Sequence, residues 1–165
     1  MLDKNDLLDA MLREIETIRH LATKVPAGGH DFRFTEGQRS TLELLRYASF
    51  CGMGGALAMT HGNWDGYKEW SEKTSALEAS EIPAALDAQA AGLKGLFAEI
   101  SDEDFAKKRV KTPVGEEMPL GRALLETAGK WMVGYRMQLF LQAKAAGNAD
   151  IGTSNCWVGM DMPKE

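Results

Sequence analysis

The stretch GKWMVGYRMQLFL, residues 129–141, decides how the chain reads, because helix signals and large aromatics share one face in it. Trp131 and Tyr135 stand four residues apart and therefore stack on one side of a helix. Extending that line in steps of four and three gives Leu120, Leu124, Ala128, Trp131, Tyr135, Gln138 and Gln142, the spacing of a helix-bundle seam. Pro119 suits the start of this helix, where no amide donor is needed, and Gly147-Asn148 suits its end. A long helix is predicted from Pro119 to about Ala146.

Working outward, helix dominates the rest of the chain. Leu7, Leu8, Met11, Ile15, Ile18, Leu21 and Ala22 recur at helical spacing and predict a first amphipathic helix from about Asp3 to Lys24, stopped by VPAGGH (25–30). Thr35 with Gln38 reads as a capping box that opens a second helix, running through RSTLELLRYASFCGMGGALAMT (39–60) to His61-Gly62. NWDGYKEWSEKTSAL (63–77) predicts a short helix or a loop. Ser80 reads as the cap of a third long helix, Ile82 to Ile100, with Pro83 in its first turn. DEDFAKKRVKTPVGEEM (102–118) predicts a helical turn, then an irregular or hairpin-like segment around Pro113-Val114-Gly115. The tail, 149–165, has no period, but its Ile151, Cys156, Trp157, Val158 and Met160 predict an irregular segment packed on the bundle. The expected fold is all-α: a four-helix bundle forming a single domain over residues 1–165.

Composition narrows the function classes. The 165 residues suffice for one continuous core, and a formal net charge of −5 argues against nucleic acid, whose phosphates need a basic face. The run Lys107-Lys108-Arg109 is short and flanked by acids, as at a solvated helix end. The most apolar run, Tyr47 to Met59, is too short to span a membrane. Two cysteines form no disulfide framework, and the charged MLDKNDLLDAM start is unlike a signal peptide, so a cytoplasmic protein is expected.

The partner seam on the second helix is Ser40, Leu44, Tyr47, Cys51, Gly54 or Gly55, and Ala58. Each interior helical glycine costs about 1 kcal/mol against alanine, so Gly52, Gly54 and Gly55 need compensation. Small residues let a neighbouring helix or the Trp131 and Tyr135 rings approach closely; alternatively they leave room for a ligand. Close packing is the favoured reading. Gln138 and Gln142 on the facing seam require partners, which predicts a polar pocket, trapped water or a wet oligomer contact there.

Two motifs on these seams resemble the DinB/YfiT-like superfamily of four-helix metalloproteins. Ser40, Glu43, Leu44, Leu45, Arg46 and Tyr47 match a Ser-x-x-Glu-Leu-Leu-x segment that a metal-binding histidine follows in that superfamily. Trp131 and Tyr135-Arg136-Met137-Gln138-Leu139 match a second segment, with two histidines four apart just before Arg-x-Gln. Helix order and the proline-glycine segment before the last helix extend the likeness over most of the chain. The resemblance implies the fold and a three-histidine divalent-metal site, but Tyr47, Trp131 and Tyr135 occupy the three ligand positions. Indole offers no ring lone pair and a neutral phenol ligates zinc or nickel poorly, so no metal and no cofactor are expected. The rings are expected to plug the space of the former metal site, their polar atoms satisfied by one another, by Gln138 or by water.

The remaining candidates are weaker. His20, His30 and His61 share no helix face. Cys51 reads as a small apolar filler that becomes a nucleophile only in an open pocket beside a cation such as Arg136 or Arg46. Cys156 reads as structural, Arg136 as a flank ion pair with Glu43 or Glu126, and Trp64, Tyr67 and Trp70 as a cap over the bundle's end. The function expected is a metal-free module that binds a small, partly apolar molecule through Tyr47, Cys51, Trp131, Tyr135 and Gln138, and pairs as a homodimer. The alternative is a thiol-dependent transferase or hydrolase of the superfamily, with altered or absent metal ligands and Tyr47 or Tyr135 as general acid.

Overall fold

A computed structural model describes residues 3–163. Helix α1 spans Lys4–Ala22, and the Asp3 carboxylate caps it by accepting the amides of Asn5 and Asp6 at 2.8 and 2.9 Å. Leu7, Met11, Ile15, Ile18 and Leu21 form its buried stripe. Helix α2 covers Thr41–Ala48, later than the Thr35 start read from sequence. Thr35 and Gln38 close a single turn, whereas Ser40 and Glu43 form the reciprocal box: Ser40 Oγ accepts the Glu43 amide at 3.2 Å and Glu43 accepts the Ser40 amide at 2.6 Å. Only the later box is followed at once by the leucines that α2 buries.

The second bundle member is not continuous. After α2 the helical path breaks at Ser49-Phe50 and resumes as α3, Cys51–His61. A break inside a core strands backbone donors and acceptors, and Gln89 satisfies three of them. Its amide oxygen accepts from the Gly52 and Met53 amides at 2.9 and 3.2 Å, and its Nε2 donates to the Ala48 carbonyl at 2.9 Å. Gln89 comes from α5, Ile82–Glu99, which lies across α3 after the short helix α4, Asp65–Thr74. Ser80 does not cap α5: Ala79–Glu81 forms a 3-10 turn leading in, and the Glu81 side chain accepts the Glu78 amide at 2.8 Å.

Helix α6, Asp102–Lys107, leads into an antiparallel hairpin, β1 Arg109–Lys111 and β2 Glu117–Pro119, with Val110 opposite Met118. The last long helix starts as α7, Leu120–Leu124, passes through a π-helical turn at Leu125–Gly129, and continues as α8, Lys130–Ala145. That turn holds one residue more than an α-helical path, so everything after it rotates by about 100°. The buried line is therefore Leu120, Leu124 and Ala128, then Met132, Arg136, Leu139 and Ala143. Trp131, Tyr135 and Gln138 move off the seam to its half-buried flank, which corrects the constant-step reading. The tail is not wholly irregular: it carries a short helix, α9 Thr153–Trp157, packed on α1 and α8. Ile151, Asn155 and Cys156 are buried, but Trp157, Val158 and Met160 face outward.

With α2 and α3 counted as one member and α7 to α8 as another, α1 and α5 complete an all-α four-helix bundle. No helix among the described residues is long and apolar enough to cross a membrane.

Candidate functional site

The flank to which the π turn moves Trp131 and Tyr135 faces α2, α3 and α4. Tyr47 and Tyr135 meet edge to face with ring centres 4.6 Å apart. Trp131 joins them through a residue that sequence reasoning had assigned to an end cap, Tyr67 of α4. The Tyr67 ring sits 6.4 Å from Trp131 and its hydroxyl hydrogen-bonds the Tyr47 hydroxyl at 3.2 Å. Phe50 closes the group, 5.1 Å from Tyr47 and 5.2 Å from Tyr67. Offset and edge contacts of this kind suit the ring quadrupoles.

The glycines of α3 make the approach possible. A Cβ on Gly55 would lie 2.9 Å from the Trp131 ring, and one on Gly54 would lie 2.9 Å from the Tyr67 ring. Close packing thus accounts for the small residues: rings fill the flank beside the seam against Gly54 and Gly55, and at the seam itself a Cβ on Gly52 would run into the Met132 sulfur.

Cys51 lies fully buried under this group, and burial pushes its thiol up to about 12. Burial also raises the Tyr47 phenol, with the Tyr67 hydrogen bond adding to the shift. A nucleophilic thiol or a general acid works best with a pKa near the working pH, and burial moves both groups away from that range. Gln138 is half-buried on the outer side of the flank, while its neighbour one turn on, Gln142, is fully buried. Gln142 Nε2 donates to the Arg39 carbonyl at 2.9 Å and so fixes the chain just before α2.

Arg39, unnoticed in the sequence, lies over the ring pair: its guanidinium carbon is 4.1 Å from the Tyr47 ring centre and 5.7 Å from that of Tyr135. Such stacking leaves the in-plane N–H donors of arginine available. Beside it opens a groove of about 280 Å³ bordered by Arg39, Glu43, Arg46, Tyr47, Phe50, Ser71, Thr74 and Ser75. On the far side of the ring group, Trp131 borders a second cleft of about 230 Å³, between the hairpin and the π turn. The buried Thr112 hydroxyl, which has no hydrogen-bond partner among the described residues, belongs to that cleft.

The residues at the three implied metal positions do not fit a divalent ion. The Trp131 indole has no ring lone pair, and the Tyr47 oxygen is held neutral and bonded to Tyr67. Among the described residues no three His, Cys, Asp or Glu side chains gather into a ligand set.

Arg136 corrects a second expectation. It is 1% exposed, and it pairs neither with Glu43 nor with Glu126. Its Nε bonds the Glu14 carboxylate of α1 at 2.5 Å, its Nη1 donates to the Cys156 carbonyl and lies 3.4 Å from Cys156 Sγ, and its guanidinium stacks 4.5 Å from the Trp157 ring. The π turn aims it at the tail, away from the ring group. Cys51 and Cys156 are both free thiols, and the tail packs on α1 and α8.

Comparison with known proteins supports the fold. A DinB-like protein, YjoA from Bacillus subtilis, has a crystal structure that superposes with a TM-score of 0.67 at 16% identity, covering 89% of this chain and 95% of that one. The chain has a DinB-like fold. No protein-family model matches the sequence, and no curated protein does either.

Proposed function

We propose that the protein is a metal-free binding module that takes a small, partly apolar molecule on the aromatic flank between its second and fourth bundle members. The observation that carries this reading is the Tyr47–Tyr135 pair, stacked under Arg39 at the border of an open groove. Filled ring packing moves the contact surface from an internal cavity to that groove, with the Tyr47 ring as one of its walls. Trp131 and Gly55 act as its backing, and Cys51 lies beneath as buried filler. Gln138, set apart from the groove, is left without the orienting role assigned to it in the sequence.

The expected result is saturable binding of small aromatic molecules, seen by NMR as shifts of the Tyr47 and Phe50 ring protons and weakened by Tyr47→Ala. A broad aromatic fragment set that leaves those protons unmoved contradicts the reading. The rival, a thiol-dependent transferase or hydrolase, is opposed by the raised Cys51 and Tyr47 groups. Turnover in a panel of low-molecular-weight thiols and electrophiles would restore it.

Residues 1–165 act as one domain in this reading, in the cytoplasm, where free Cys51 and Cys156 are at home. Homodimer pairing is favoured by the exposed Val133 and Leu141 on the outer side of α8 and is tested by sedimentation.

A further inference from the structure

Arg13, Arg109 and Arg122 are exposed with no acid in ion-pair contact among the described residues, whereas Arg19, Arg33 and Arg136 pair with carboxylates. Arg39 and Arg46, at the groove beside Tyr47, do not: among the described residues neither is in ion-pair contact with an acid. Arg39 uses the face of its guanidinium on Tyr47, and among the described residues no hydrogen bond engages its side chain. Arg46 uses Nε, which donates to the Leu77 carbonyl at 2.6 Å, so its two terminal nitrogens stay uncommitted. Both side chains are thereby oriented without their outer donors being consumed, and such a fork matches a carboxylate or phosphate.

Glu43 is the one acid among the groove's lining residues, and it is already engaged. It accepts the Ser40 amide at 2.6 Å and lies 3.4 Å from Arg33, and that amide bond is the main reason its carboxyl is held low. The groove lining therefore carries two arginines, Arg39 and Arg46, against one carboxylate that Ser40 and Arg33 already engage. Its volume lies near the lower end of the range for small-molecule sites.

We propose that this groove selects a small anion with an apolar body, its carboxylate or phosphate on the donor edges of Arg39 and Arg46 and its body against the Tyr47 ring. The inference rests on the binding reading above and adds the charge of the ligand. Ser71, on the α4 wall, offers a hydroxyl to the same group.

The test is a ¹H–¹⁵N NMR titration of the full chain with phenylacetate, phenyl phosphate and uncharged benzamide. The expected result is saturable movement of the Arg39, Tyr47, Ser71 and Ser75 amides with one or both anions, weakening as sodium chloride is raised. Benzamide binds less tightly, and Arg39→Gln weakens anion binding about fivefold, as loss of a partly exposed charge contact does. Phenylacetate alone identifies a carboxylate ligand and phenyl phosphate alone a phosphate monoester; either supports the proposal. Equal affinity for benzamide, with no effect of salt or of Arg39→Gln, overturns the anion inference and leaves the binding reading standing. No saturable shift at these amides with any of the three overturns both.

Discussion

Gln89, Arg136 and Cys51 are single residues on which separate parts of the structure depend. Replacing Gln89 by Leu leaves two amides and one carbonyl unsatisfied at the α2–α3 break, each worth about 1–3 kcal/mol when buried. A loss of at least about 3 kcal/mol in urea unfolding is the expected outcome, and a loss under about 1 kcal/mol would show that the break is held by packing alone. Arg136→Met leaves the half-buried Glu14 carboxylate without its partner and frees the Cys156 carbonyl, a change expected to cost about 1–3 kcal/mol. Its particular signature is that Cys156 becomes accessible to a thiol-reactive disulfide in the folded protein while Cys51 stays protected. Labelling of both thiols at equal rates would mean general loosening and not release of the tail. Cys51 also sets an alkaline limit. Its folded pKa is raised from 9.0 to about 12, so its stabilising contribution is fully present below pH 9 and is lost as pH rises towards 12. Stability should fall through this window by up to about 1.4 kcal/mol per pH unit from this group, and Cys51→Ala should flatten the slope.

At the scale of elements, the π turn at Leu125–Gly129 and the hinge at Ser49-Phe50 separate what the sequence shows from what it hides. Helix spacing and the Pro119 start are local properties, and the helices they announce are present. The phase of a helix is not local once an extra residue is inserted. Steps of four and three through Leu124, Ala128 and Trp131 run smoothly in the sequence, and nothing in LETAG (125–129) announces a wider turn. Trp131 and Tyr135 were still recognisable as a facing pair, because the rotation moves both together. Arg136 was not, since a guanidinium one position off a seam normally reads as solvated. Tyr67, Phe50 and Arg39 reach the ring group from other elements, and only tertiary packing reveals that. Deleting the exposed Leu125 should remove the surplus residue, give a continuous α-helix and keep Arg136 and Met132 inward. The expected variant melts within about 3 °C of the parent, a shift of roughly 1 kcal/mol or less. Loss of cooperative melting would contradict the phase account.

For the whole molecule, the DinB-like fold supplies a four-helix frame that brings its second and fourth members together, and side-chain rings line the half-buried flank of that contact. Tyr47, Tyr67, Trp131 and Tyr135 contact one another or hydrogen-bond there, with Gly54 and Gly55 giving them room. The same packing explains why the accessible polar groups lie at the rim, in Arg39, Arg46 and the groove, and why Cys51 below is shut away from solvent. Metal analysis of the purified full-length protein, combined with zinc and nickel titration followed by tryptophan fluorescence, tests this directly. The account predicts far less than one transition-metal ion per chain and no saturable change in emission from Trp131, in the parent or in Tyr135→Phe. One tightly held ion per chain, lost on changing Tyr47 or Tyr135, would contradict it.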